Sequence, residues 1–152
     1  MDGNANGNVL IRSVAREDAL AVLKIWTTSN VNFTIDQLNL HGSEKRSLIE
    51  LHMLACDGQF SNLMSEAAVK LLACDPEHPE EFFGFIIADK GPIVHYAFTK
   101  YAARKLGIAR LLFTEAMKRL NVAVGTPVKC SCWGIHAAAL APKYSLIYSP
   151  LR

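Results

Sequence analysis

Apolar residues along the first part of the chain change their spacing, and each change predicts a different element. Residues 9–14 form a short apolar run rich in β-branched side chains, which is typical of a strand. Leu20, Leu23 and Trp26 then recur at three-residue steps, and Val22 and Ile25 widen this apolar stripe, so an amphipathic helix of about three turns is expected. The stretch over residues 30–42 mixes polar and apolar side chains without a clean period, and we interpret it as an ordered loop.

A second helix is predicted between two residues that commonly mark helix ends. Ser43 is a suitable N-cap and Gly58 offers a left-handed stop, so the helix should run over residues 44–57. The apolar residues that would form its inner face are Leu48, Leu51 and Ala55.

Longer apolar runs in the second part of the chain predict strands. Residues 67–74 and 82–88 are two such runs, and the connector between them contains two prolines, which excludes a continuous helix. Residues 89–92 are a turn signal, so the run over 93–99 should pair with 82–88 as an antiparallel hairpin. The remaining expected elements are a helix after Lys100, a strand over 128–133, a short helix over 137–142 and a strand over 145–149.

This order of strands and helices indicates one α+β domain. The chain has 152 residues, and no repeat, linker or block of charge divides it. Residues 1–8 are small, polar and glycine-rich, so we expect a mobile tail there and a single domain over residues 9–152.

Composition and charge exclude several classes of protein. The sequence is 51% hydrophobic and 20% charged, which is ordinary for a soluble domain. Sixteen Lys and Arg against fourteen Asp and Glu leave a net charge of +2 without a basic run, so nucleic acid is not an expected partner. Charged residues interrupt every apolar segment well before the ~18 residues that a membrane-spanning helix needs. Without a signal-peptide pattern, we expect a reduced, cytoplasmic protein.

The cysteines do not form a metal-binding pattern. Cys130 and Cys132 would place both sulfurs on one face of a strand, but a structural zinc site needs four ligands and no second pair has suitable spacing. We therefore expect core cysteines and no bound metal.

Residues 99–110 lie between an apolar strand and an amphipathic helix, and they are the segment most typical of a ligand site. A helix N-terminus presents free backbone N–H groups and a partial positive charge, which favour phosphate. Gly107 permits a close approach of the ligand to the backbone, and Ala109 is small for the same reason. The cations around them are Arg104, Lys105 and Arg110.

The motif Arg104-x-x-Gly107-x-Ala109 resembles the Arg/Gln-x-x-Gly-x-Gly/Ala signature of the GNAT superfamily of N-acetyltransferases. The order of elements over residues 9–149 is similar to that superfamily as well. The resemblance implies a GNAT-like acyl-CoA N-acyltransferase fold, with a mixed central sheet flanked by helices. It also implies transfer of an acetyl group from acetyl-CoA to a primary amine in a ternary complex. The implied cofactor-binding residues are Phe98, Thr99, Arg104, Lys105, Leu106, Gly107, Ile108, Ala109 and Arg110.

The resemblance also implies catalytic residues. Many members place a glutamate early in the strand before the motif as general base, whereas residues 92–94 here are Pro, Ile and Val. His95 is the nearest titratable residue, and its ordinary pKa near 6.5 suits a base; a histidine hydrogen-bonded at a strand edge is the alternative. By the same resemblance Tyr144 would protonate the leaving thiolate, with Tyr148 in reserve.

The missing glutamate leaves a second interpretation open. The chain could be a catalytically inactive GNAT-fold protein that binds coenzyme A or another protein, and an α+β domain unrelated to coenzyme A is a third. The acceptor amine, on a small molecule or a protein, is not identified by the sequence, because such recognition rests on variable loops. A homodimer through the last strands is common in the resembling family and stays open here.

Overall fold

The computed structural model describes residues 8–36, 41–104, 106–130, 142 and 145–148. The helices are α1 (Ala19–Asp36), α2 (Gly42–Glu66) and α3 (Ile108–Arg119). The strands are β1 (Leu10–Ser13), β2 (Val69–Cys74), β3 (Phe82–Asp89), β4 (Ile93–Thr99), β5 (Val128–Cys130) and β6 (Leu146–Tyr148). Short 3₁₀ turns cover Arg16–Asp18 and Tyr101–Ala103.

The six strands form one mixed sheet in the order in which they occur along the chain. Strands β1 to β4 are antiparallel neighbours, and the hairpin predicted for residues 82–99 is confirmed as β3 and β4. Strands β5 and β6 then pair parallel to β4 and to each other. Because helix α3 connects β4 to β5, the chain returns to the same edge and makes a parallel crossover.

Helix α3 covers one face of this sheet. Ile108, Leu112 and Ala116 of α3 are buried, and they pack against apolar residues of β2 and β3 such as Leu71 and Ile86. The spacing of these helix positions is four residues, so one side of α3 lies on the sheet and the other stays exposed. This packing fixes the N-terminal end of α3 against the end of β4, where the predicted phosphate loop lies.

The described chain divides into two compact units. One unit comprises the described residues up to Val14 and those from Ala67 onward, and it contains the sheet and α3. The other, Ala15–Glu66, contains α1 and α2, which pack against each other. The single domain over residues 9–152 therefore stays a prediction. Within the described ranges, no helix has the length and apolar character needed to cross a membrane.

The predicted loop is wrong over residues 30–36, which are helical, and residues 37–40 lie outside the described residues. The predicted helix end at Gly58 is also wrong. Helix α1 continues to Asp36, and α2 runs over Gly42–Glu66 with Gly58 in its interior. A glycine ends a helix when it adopts the left-handed conformation, and Gly58 does not have a positive φ value. In a helix interior, glycine costs only about 0.5–1 kcal/mol relative to alanine, which a long helix tolerates.

The expected inner faces of the first two helices also need correction. Leu20 and Leu51, both predicted to be inside, are 79% and 64% exposed. Among the described side chains of α1, Val22 and Trp26 are buried; they are four positions apart and share one side of the helix. Leu20 is two positions from Val22, or about 200° around the helix, so both cannot face the same way.

Candidate functional site

The segment predicted to bind phosphate connects β4 to α3 through two tight turns. The N–H of Lys100 donates to the carbonyl oxygen of Phe83 in β3 at 2.7 Å, which anchors the end of β4 to its neighbour. The N–H of Ala103 then donates to the oxygen of Lys100 at 2.9 Å, and that of Leu106 to the oxygen of Ala103 at 3.1 Å. These hydrogen bonds turn the chain so that Gly107 becomes the N-cap of α3.

Gly107 adopts a left-handed conformation, with φ 74° and ψ 16°. This region favours glycine, and the residue provides no side-chain cap to the first N–H groups of α3. The first N–H groups of a helix have no acceptor within the helix, so those of Ile108, Ala109 and Arg110 are available to a ligand. A Cβ built on Gly107 would meet nothing within 4 Å, so the space beside these donors is open.

Positive side chains surround this helix end. Arg104 is exposed, donates from Nε to the carbonyl oxygen of Thr99 at 3.3 Å, and places its guanidinium carbon 5.4 Å from the ring centre of Tyr101. Arg110 is exposed on the first turn of α3. Both charges add to the partial positive charge of the helix N-terminus, so an anion is the ligand that this surface favours.

The structure brings most of the predicted cofactor residues into one continuous segment. Phe98 and Thr99 are half-buried at the end of β4, and Leu106, Gly107 and Ala109 are exposed. Ile108 differs because its side chain is fully buried in the core between α3 and the sheet, so only its backbone could contact a ligand. Lys105 lies outside the described residues.

His95 occupies an irregular position in β4. Val94 pairs with Ala88 and Tyr96 pairs with Ile87, so two consecutive residues of β3 face three residues of β4 and His95 is the extra one. Such a bulge bends the strand and redirects its side chains. His95 is also four residues before Thr99, or about 13 Å along the strand at ~3.3 Å per residue.

The environment of His95 favours the neutral form of its imidazole. The residue is only 5% exposed, and this burial lowers the pKa of its imidazole below the ordinary value, while the charge of Asp89 opposes part of the shift. A neutral imidazole has a nitrogen lone pair that can accept a proton. The chemistry is therefore compatible with a base, and the burial is equally compatible with a structural histidine.

Several predicted residues cannot be compared with the structure. Tyr144 and Cys132 lie outside the described residues, and so does the predicted short helix except for Pro142. Cys74 and Cys130 are both buried. Across the described ranges, no three His, Cys, Asp or Glu side chains come together as a metal site.

The aromatic cluster beside the site was not predicted. The ring of Phe85 lies 5.4 Å from that of Tyr96, 5.7 Å from that of Phe98 and 6.3 Å from that of Phe82. The Nζ atom of Lys100 lies 4.4 Å from the ring centre of Phe82. The predicted hairpin could have indicated this cluster, because Phe85 pairs directly with Phe98 once the turn sets the register of the two strands.

Comparison with solved structures places this architecture among acetyltransferases. A GCN5-related N-acetyltransferase from Rhodopseudomonas palustris matches with a TM-score of 0.60 and 18% identity, over 90% of this chain and 80% of its own. A candidate acetyl transferase from Pyrococcus furiosus matches with a TM-score of 0.65 and 14% identity, over 95% and 96%. An acetyltransferase of the GNAT family from Staphylococcus aureus matches with a TM-score of 0.56 and 12% identity, over 89% of this chain and 82% of its own.

The chain therefore has the GNAT acetyltransferase fold, and the fold expected from the motif is confirmed. No protein-family profile matches the sequence, and no curated protein does so either. At identities of 12% to 18%, the likeness shows the fold alone.

Proposed function

We propose that this protein binds acetyl-CoA at the junction of β4 and α3 and transfers the acetyl group to a primary amine. The observation that carries the proposal is the backbone conformation of Gly107 at the start of α3. It caps α3 in a left-handed conformation, without a side chain, at the glycine of the Arg104-x-x-Gly107-x-Ala109 motif. The GNAT fold of the chain supports the same assignment.

The residues at this junction fit the pyrophosphate of coenzyme A. The open space at the Cβ position of Gly107 lets a phosphate approach the free N–H groups of residues 108–110. Arg104 and Arg110 would supply charge-assisted hydrogen bonds from the two sides of the loop, with Lys105 as a third cation. The side chain of Ile108 would hold α3 in place instead of contacting the cofactor.

Acetyl-CoA supplies an acetyl thioester whose carbonyl carbon is electrophilic. For the transfer, a nitrogen–carbon bond forms, the carbon–sulfur bond breaks, and the proton lost by the amine must be balanced by one gained at the thiolate. In this proposal His95 accepts the proton of the acceptor, directly or through water, and Tyr144 donates one to the sulfur. The backbone of β4 would hold the carbonyl oxygen, as the family resemblance implies.

A protein that binds coenzyme A without turnover is the second candidate. The observation that favours it is the start of β4, where residues 92–94 are Pro, Ile and Val and the next residue, His95, is 5% exposed. A base that is this deeply buried reaches an acceptor only if the site opens or a water molecule relays the proton.

Release of free thiol from acetyl-CoA separates the two candidates. The purified protein is incubated with acetyl-CoA and a panel of small primary amines and lysine-containing peptides, and the thiol is titrated over time. An acetyltransferase releases thiol faster when a suitable amine is present, and the acetylated amine appears in equal amount. Saturable acetyl-CoA binding without amine-dependent release across the panel would instead support the binding protein.

A further inference from the structure

A polar cavity lies at the C-terminal end of α3, away from Gly107. It has a volume of about 230 Å³ and lies where the end of β1, the start of β2, the turn after β3 and the residues after α3 come together. Its polar lining residues are Ser13, Lys70, Lys90, Arg119 and Asn121. Because α3 has 12 residues, the cavity is about 18 Å from the cap at Gly107. The two sites are therefore separate.

Arg119 is held in place at the wall of this cavity. Its Nε donates to Oε1 of Glu115 at 3.0 Å, and its Nη1 donates to Oγ of Ser13 at 3.3 Å. A guanidinium has five N–H groups, and within the described part of the chain these two contacts are its hydrogen bonds. The remaining N–H groups can bind a ligand, and the hydroxyl hydrogen of Ser13 is a further donor.

Lys90 adds a second cation. It is exposed in the turn between β3 and β4, and in the described ranges its ammonium has no ion-pair partner. The carboxylate of the adjacent Asp89 accepts from the backbone N–H of Lys90 at 2.8 Å and from that of Ala68 at 3.4 Å. That carboxylate is thus engaged by the backbone, and the residues that line the cavity include no Asp or Glu.

The C-terminal carbonyl groups of α3 do not cancel this positive charge. The oxygens of Ala116, Met117 and Lys118 accept the N–H groups of the three residues that follow the helix, at 3.0 to 3.1 Å. A helix end repels an anion mainly through carbonyl groups that lack a donor, and these have one. The cavity is therefore lined by the cations Arg119 and Lys90, of which Arg119 is paired with Glu115.

We propose that this cavity binds the phosphate group of a small ligand. The guanidinium of Arg119, the ammonium of Lys90 and the hydroxyl of Ser13 all belong to lining residues, and they are donors suited to the oxygens of a phosphate. At about 30 Å³ per water molecule, the volume accommodates a phosphate and a few further atoms, but not a nucleotide cofactor. This proposal does not depend on acetyl-CoA binding at Gly107.

Amide chemical shifts of the full chain report this binding directly. Inorganic phosphate is titrated at constant ionic strength, with chloride as the balancing anion. We expect saturable shifts for the backbone of Ser13, Lys90 and Asn121. Lys90→Gln should lower the affinity for phosphate about tenfold, because one charge-assisted hydrogen bond is lost. Arg119→Gln should lower this affinity at least as much. Lys118→Gln, which removes an exposed neighbour that does not line the cavity, is the matched control and should bind as wild type does.

Two results would overturn the proposal. One is the absence of saturable shifts at these amides up to tens of millimolar phosphate. The other is binding that Lys90→Gln leaves unchanged but Arg104→Glu abolishes, which would place the phosphate at the N-terminus of α3. Lys90 is an exposed turn residue, so its variant stays informative even if Arg119→Gln fails to fold.

Discussion

Gly84 of β3 lies directly against Ile108, the first residue of α3. A Cβ built on Gly84 would be 3.3 Å from Cγ2 of Ile108, and it would overlap the carbonyl oxygen of Phe98 on the neighbouring strand. The absence of a side chain at Gly84 therefore sets how closely α3 approaches the sheet. Because Gly107 precedes Ile108, the same contact positions the N–H groups proposed to bind the cofactor.

Gly84→Ala should consequently disturb both stability and binding. The added methyl group cannot be accommodated without a shift of α3 or β4, and overpacking of this kind costs about 1–3 kcal/mol. Urea denaturation measures the loss. Gly58→Ala is the control, because nothing lies within 4 Å of a Cβ at that position in α2 and alanine should stabilise a helix interior by about 0.5–1 kcal/mol. A Gly84→Ala protein as stable as wild type would show that the contact is not tight.

Gly107→Ala tests the proposed pyrophosphate site at the start of α3 without changing any charge. Gly107 and Gly125 have φ values of 74° and 86°, and a Cβ at either would meet nothing within 4 Å. Alanine should therefore destabilise the fold similarly at both positions, by about 1–2 kcal/mol. Only Gly107→Ala should lower the affinity for acetyl-CoA, by about tenfold or more in a calorimetric titration. Equal cofactor affinity in the two variants would contradict the assignment of Gly107.

The burial of His95 predicts a dependence of stability on pH. Its folded pKa is lowered, so the unfolded chain takes up a proton first as the pH falls. The stabilisation is complete above the unfolded pKa of about 6.5 and is lost as the pH drops toward the folded pKa. His95→Gln should reduce the difference in melting temperature between about pH 7.5 and about pH 5.5. An unchanged difference in His95→Gln would show that the histidine is not buried neutral.

Tyr144→Phe tests the proposed proton donor. Removal of a general acid typically slows turnover by about 100-fold or more, while the affinity for acetyl-CoA should stay as in wild type. The readout is thiol release with the best amine of the panel, together with a cofactor titration. Tyr101→Phe is a matched control, because that side chain is 84% exposed and has no proposed role in proton transfer. Wild-type turnover in Tyr144→Phe would remove this residue from the mechanism.

The sequence predicts the sheet better than it predicts the first two helices. Residues 82–99 consist of two apolar runs with a turn between them, so both the strands and their pairing follow from local signals. Residues 30–42 have no regular apolar period, and Gly58 is a residue type that commonly ends a helix. Helices α1 and α2 pack against each other, and such tertiary contacts stabilise helix turns that the local pattern does not indicate.

The motif of the site is visible in the sequence, whereas the geometry around it is not. Arg104, Gly107 and Ala109 are close in the chain, so their spacing alone suggests a phosphate loop. The bulge at His95 depends on which residue of β3 faces which residue of β4, and one strand read alone does not reveal an extra residue. The role of Gly84 depends in the same way on Ile108, 24 positions later in the sequence.

The most direct test of the central proposal is a calorimetric titration of the purified protein with acetyl-CoA, because it does not require the acceptor to be known. We expect micromolar affinity, about −8 kcal/mol, for wild type. Arg104→Glu should bind about tenfold or more weakly, and Arg46→Glu, the same charge change at an exposed site on α2, should bind as wild type does. The absence of binding at millimolar acetyl-CoA, or equal affinity in all three proteins, would contradict a cofactor site at the start of α3.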